Sequence, residues 1–134
     1  MLTTSPNLRA YAEAKLETVL ADDAQFLGRL RPDGAIWGVV AFERFTEHNC
    51  EMHMAGESGF VSRPFIRAAF HYPFIQLGKA RVTGLVDEKN EAALSIDKRL
   101  GFKEEGRLRN ALGDRDIIVL GMLKHECRWV HYGR

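Results

Sequence analysis

Apolar positions recur along this chain in two rhythms, and each predicts its own elements. In "NLRAYAEAKLETVL", Leu8, Tyr11, Ala12, Leu16 and Val19 fall at helical spacing. They follow Ser5-Pro6, a capping hydroxyl and a residue tolerated in a first turn, so a helix is expected over about Asn7 to Leu20. Arg63 to Leu77 carries Ile66, Ala69, Phe70, Pro73, Phe74 and Leu77, the i, i+3, i+4, i+7 stripe of a helix laid on a sheet. Pro73 removes one backbone donor inside that helix and predicts a kink, and Gly78 ends it. A third helix, Asn90 to Leu100, turns Ala93, Ile96 and Leu100 inward.

Between the helices the apolar runs are short and β-prone. "AQFLGRLRPDGAIWGVVAFERF" sets Pro32-Asp33-Gly34 between two such runs, which is hairpin chemistry because Pro fixes the turn entry and Gly accepts positive φ. Thr46 to Asn49 makes a second turn into Cys50 to Ala55, so residues 24 to 55 read as three antiparallel strands. Ala80 to Val86 reads as a buried strand. From Phe102 the chain is extended, with final strands over about 105–112 and 117–126 around the turn Gly113 to Asp116. This order predicts an α+β fold: a mixed, mostly antiparallel sheet flanked by helices, in which a parallel pair beside an antiparallel one splays the central strands.

Length and charge narrow the partners. The 134 residues suit one domain, and no linker or repeat interrupts them. With 19 basic and 18 acidic residues the net charge is +1, so no global field favours nucleic acid or an anionic membrane. The nearest thing to a basic cluster, Arg99, Lys103, Arg107 and Arg109, is interrupted by Glu104 and Glu105. The longest apolar run, "AIWGVVAF", is too short to span a bilayer, and the N-terminus lacks a signal peptide's apolar core; a cytoplasmic location is expected. Cys50 and Cys127 have no CxxC partner and read as free thiols, and no metal site is expected.

"DEKNEAALSIDKRLGF" concentrates the remaining signal. Asn90 sits where a helix needs an N-cap, and Gly101 where the chain leaves it in the left-handed region. Capping and ligand binding are both open to Asn90. The order Asn90, Ala93, Gly101-Phe102 also resembles the GNAT superfamily of N-acetyltransferases, which carries an Asn after its fifth strand, a small residue three later, and Gly-Phe at the end of the next helix. "EEGRLR" and "DIIVLGML" resemble the family's last two strands, and "QLGKARVTGLV" its third helix and fifth strand. The likeness covers about residues 35 to 127, lacks the family's first strand, and is closest to the short GNAT-like proteins of phages and prophages.

The resemblance implies one GNAT-like acetyltransferase domain over residues 1–134 that moves an acetyl group from acetyl-coenzyme A to a small-molecule or protein amine, and a homodimer is among the assemblies it allows. Fourth-strand backbone groups, about Met52 to Ala55, would bond the pantetheine arm, so Met54 and Ala55 are candidate cofactor residues together with Asn90. The family's Gln/Arg-x-x-Gly-x-Gly/Ala loop aligns with "ESGFVS", where Glu57, Phe60 and Ser62 take the motif places. Ser58, Gly59, Ser62 and Arg63 are the candidate phosphate donors there.

Family members often place a Tyr seven residues after the Asn as acid; here that residue is Asp97, which reads as an ionised residue on a solvated face, so that either the thiolate leaves without help or another residue such as Tyr72 or Tyr132 approaches. A base is needed for a protonated amine. Glu51 and His53 alternate with Met52 and Met54 and so point to one side of their strand; they are the candidate catalytic residues, with Glu43 a third. A non-catalytic GNAT-like module that binds a CoA-type ligand or a protein partner is the alternative.

Overall fold

A computed structural model of the chain describes residues 1–130. Seven strands form one mixed sheet in the order β1-β2-β3-β4-β5-β7-β6. They are β1 (Leu2–Thr3), β2 (Gln25–Leu30), β3 (Ile36–Glu43), β4 (Glu51–Gly56), β5 (Arg81–Asp87), β6 (Lys103–Leu108) and β7 (Ile117–Leu123). Helices α1 (Asn7–Leu16), α2 (Arg63–His71) and α3 (Glu91–Leu100) connect them. Every strand pair is antiparallel except β4 with β5.

The sheet is covered on both faces, which explains why β3 is buried along most of its length. Its odd-numbered residues Val39 and Ala41 meet Leu8 and Ala12 of α1, while Val40 and Phe42 join a larger core with Phe65, Ile66, Ala69 and Phe70 of α2. The Pro32-Asp33-Gly34 turn forms as the sequence suggests, with Gly34 at φ 88 and the Asp33 carboxylate accepting from Ala35 N at 2.9 Å. Pro73 also acts as expected: having no N–H, it shifts the hydrogen bonding of residues Tyr72–Gln76 to a π turn, closed by Leu77 N donating to Tyr72 O at 3.0 Å.

Two expectations are corrected at the N-terminal end. A first strand exists, since Leu2 and Thr3 pair with Arg29 and Gly28. The first helix stops at Leu16, not Leu20, with Glu17 left-handed at φ 54 and Val19 84% exposed. Tertiary acceptors draw the chain away there: Leu20 N donates to the Glu13 carboxylate and Ala21 N to that of Glu43, both at 2.9 Å. At the start of this helix Pro6 occupies the cap position, and Ser5 just before it holds the first turn as expected, its Oγ accepting from Asn7 N at 3.4 Å and its carbonyl from Leu8 N at 3.1 Å.

Candidate active site

β4 and β5 meet at a single register pair, Glu51 with Thr83, and then part. β5 keeps its seven-residue pairing with β7, and β4 its six-residue pairing with β3. From Met52 onward the edge of β4 that faces β5 therefore carries backbone groups without a strand partner. A cleft of about 430 Å³ fills the opening, within the range of small-molecule sites. Its walls are Met52 to Gly56 of β4, Leu85 to Asp87 of β5, Asn90, Ala93, Ile96 and Asp97 around α3, Phe60 and Phe102, and the end of α1 from Lys15 to Glu17.

Register then sorts the chemistry by face. His53 stands opposite Ala41 and Glu51 opposite Glu43, so all three polar side chains share the α1 face with Ala55. His53 Nε2 lies 2.7 Å from Glu43 Oε2 and 3.7 Å from Glu51 Oε1. Glu43, only 5% exposed, accepts from Ala21 N with its other oxygen. An ionised Glu43 requires Nε2 to carry the proton, which leaves the lone pair on Nδ1. Burial raises the Glu51 pKa above the usual carboxylate range; His53 and Arg44 oppose that shift and Glu43 reinforces it. The ligand atoms of Glu43, Glu51 and His53 lie within 4.8 Å of one another, the one such trio among the described residues. His53 lines the cleft, whereas Glu51 stands behind it, 3.6 Å from Arg44 Nε.

The expected cofactor residues divide. Met54, Ala55 and Asn90 line the cleft, and Asn90 also caps α3, its Oδ1 accepting from Ala93 N at 3.1 Å. Ser58, Gly59, Ser62 and Arg63 lie outside the cleft wall. Trp37 Nε1 donates to Ser58 O at 3.0 Å, and Arg29 donates to Gly59 O and Phe60 O at 3.1 and 2.7 Å. Ser62 Oγ accepts from Phe65 N at 3.3 Å as the α2 cap. Arg63, the first residue of α2, is exposed.

Phe60, at a glycine place of the expected loop, turns inward. Its ring lies over Gly38 and Gly56, so close that a Cβ on Gly56 would stand 2.6 Å from Phe60 Cγ. The bulky residue is thus absorbed by two glycines on neighbouring strands and stays 7% exposed.

Sequence reasoning misplaced Asp97. It is half-buried in the cleft wall, its backbone carbonyl accepts from Gly101 N and Phe102 N, its carboxyl has no hydrogen bond or ion pair among the described residues, and burial alone pushes its pKa to about 7. The signal was its spacing: Asn90, Ala93 and Asp97 fall at i, i+3 and i+7 on one helix face. Tyr72 packs edge-on against Phe42 at 5.0 Å and is not part of the cleft wall, and Tyr132 lies outside the described residues.

No protein-family profile matches this chain. No curated protein sequence matches it either. Solved structures do. A mutant form of the spermidine N-acetyltransferase of Vibrio cholerae superposes with a TM-score of 0.70 over 96% of this chain and 79% of that one, at 18% identity. The same enzyme in complex with CoA and spermine gives 0.67 over 78% and 68%, at 17% identity. A GNAT-family acetyltransferase from Bacillus anthracis gives 0.63 over 75% and 67%, at 16% identity. The fold is that of the GNAT acetyltransferases.

Proposed function

We propose that this chain is a single-domain N-acetyltransferase that transfers an acetyl group from acetyl-coenzyme A directly to the amine of a small cationic acceptor. The observation that carries this reading is the parting of β4 from β5 after one pair, with His53 at the opening. The unpaired edge of β4 suits the amides of a pantetheine arm, and the apolar stretch formed by Met54, Val86 and Ala93 suits its aliphatic carbons. At the loop Phe60 turns inward, and the N-terminus of α2 with the exposed Arg63 supplies the groups that would meet a diphosphate.

When bound, acetyl-coenzyme A supplies an activated acyl carbon and a thiol leaving group. The chain's own residues do the rest. His53 takes a proton from the incoming amine at Nδ1, while Glu43 holds the ring through Nε2 and balances the imidazolium charge. Backbone N–H groups on the β4 edge stabilise negative charge developing on the carbonyl oxygen. A cationic acceptor is favoured by the carboxylates on the same face, Glu43 and Glu51, and by Glu17 at the rim. The Vibrio cholerae enzyme of this fold, named for spermidine and solved with spermine, supports the same class.

A non-catalytic module that holds a CoA-type ligand is the second reading, favoured by the carbonyls of Ser58, Gly59 and Phe60 being held by Trp37 and Arg29. Thiol release separates the two. With acetyl-coenzyme A and a panel of polyamines and lysine-like amines, the enzyme releases free thiol with at least one acceptor; a module that binds the cofactor and stays silent with all of them is the second reading.

A further inference from the structure

Glu43, Glu51 and His53 together offer a donor set that a proton-accepting imidazole alone does not need. Two carboxylate oxygens and one imidazole nitrogen lie within 4.8 Å of one another on a single face of the β3–β4 hairpin. No spacing motif announces the trio, since Glu43 joins the other two only through the strand register. We propose that these three side chains bind one divalent transition ion, of which Zn²⁺ is the type, and that the bound ion switches off acyl transfer. The switch rests on the acetyl-transfer reading above; the ion site does not.

Strands rather than loops hold the ligand atoms. Glu43 closes β3, Glu51 opens β4 and His53 follows it by two residues, so the backbone fixes where each side chain starts. A tetrahedral ion about 2.1 Å from each ligand sets neighbouring ligand atoms about 3.4 Å apart. His53 Nε2 stands 2.7 Å from Glu43 Oε2 and 3.7 Å from Glu51 Oε1, so small side-chain adjustments reach that spacing. Outer contacts orient both carboxylates: the other Glu43 oxygen accepts from Ala21 N at 2.9 Å, and Arg44 Nε lies 3.6 Å from Glu51 Oε1. Glu43 is buried and Glu51 half-buried, and a cation between them offsets the cost of holding two carboxylates out of bulk water. One imidazole beside two carboxylates suits zinc, whereas Mg²⁺ and Ca²⁺ favour oxygen ligands alone. His53 lines the cleft, which gives the ion its path in.

The effect on transfer follows from the tautomer. With Nε2 bonded to the ion, the one proton of the neutral ring sits on Nδ1, and Nδ1 no longer has the lone pair that receives the amine proton. The ring neither gains nor loses a proton in the exchange. The ion therefore silences the base from the side that Glu43 otherwise holds.

Calorimetry and inhibition test this together. Zn²⁺ titrated into the unaltered protein in chelator-free buffer is expected to bind saturably at one site per chain, and Mg²⁺ to give no heat. The site should weaken at least about 10-fold in the near-isosteric Glu51→Gln and about 10²-fold in His53→Ala, with both variants keeping a cooperative melt. Followed by mass spectrometry of the acetylated amine, transfer should stop with an inhibition constant matching the calorimetric Kd and return on adding a chelator. No saturable heat, or undiminished binding by His53→Ala or Glu51→Gln, overturns the site and leaves acetyl transfer standing. Full transfer with the trio occupied overturns the switch. A protein that transfers to no amine removes the acetyl-transfer reading and the switch with it, and the calorimetry still decides the site.

Discussion

His53 Nε2 and Glu43 Oε2 meet at 2.7 Å although neither is the other's cross-strand partner: His53 faces Ala41 and Glu43 faces Glu51. The contact is a diagonal one on a single face of the β3–β4 hairpin, and it leaves one imidazole nitrogen available to the cleft. Replacing His53 by Ala is expected to lower kcat by about 10²–10⁴-fold with little change in cofactor affinity. Steady-state kinetics beside calorimetry on the same preparation checks this, and an equal loss of affinity would make His53 a binding residue instead.

Glu43 has a structural duty as well, because its second oxygen holds Ala21 N where the chain leaves α1. Glu43→Ala should therefore cost stability, roughly 1–3 kcal/mol for each buried donor left unpaired. Glu43→Gln, which keeps an acceptor but not the charge, should fold nearly as well and lose activity. Urea unfolding of both variants, read with their rates, separates the two duties.

Phe60 and the two glycines beneath it form one packing unit. Phe60→Ala should destabilise by about 3–5 kcal/mol, and Gly38→Ala by about 1–3 kcal/mol through overpacking. Because both changes act on the same volume, Gly38→Ala should cost less once Phe60 is already Ala. A double-mutant cycle in urea measures that coupling, and strict additivity would mean the ring is not what excludes a Cβ at Gly38.

Asp97 links stability to pH. Its pKa is raised on folding, so its carboxyl favours the folded state fully below the unfolded value near about 4, and that contribution is lost as pH rises through about 7. Relative to Asp97→Asn, the unaltered protein should lose Tm steadily between those limits and run parallel above them. Parallel curves throughout would place the carboxyl in water.

Cys50 and Cys127 are both fully buried, and burial pushes the Cys50 thiol to about 11. Neither should react with a thiol reagent at neutral pH until the protein unfolds. Stopped-flow modification with and without urea checks this: fast labelling of the native protein would contradict the packing of these residues.

The helices and hairpins were legible in the chain because each repeats its period several times. Where tertiary contacts overrode local pattern, legibility failed. Val19 continues the helical spacing of α1, yet Glu13 and Glu43 take the backbone donors that would have carried the helix onward. Leu2 and Thr3 are too few to show a period. The pairing of Glu51 and His53 on one face could be read from alternation, whereas the approach of Glu43 needed the hairpin register. Asp97 was misread because charge alone suggests solvent, and only the packing of α3 beside the parted strands shows its desolvation. The parting of β4 from β5 itself has no local signature.

That parting is also what a single titration can probe. Calorimetry with acetyl-coenzyme A is expected to give one site per chain with a Kd on the order of 1–100 μM, a range common for enzyme substrates. Ala93→Trp, which fills the cleft wall, should abolish the heat while the variant keeps its cooperative melt. No heat from the unaltered protein at millimolar cofactor, or undiminished binding by Ala93→Trp, would contradict a cofactor site between β4 and β5.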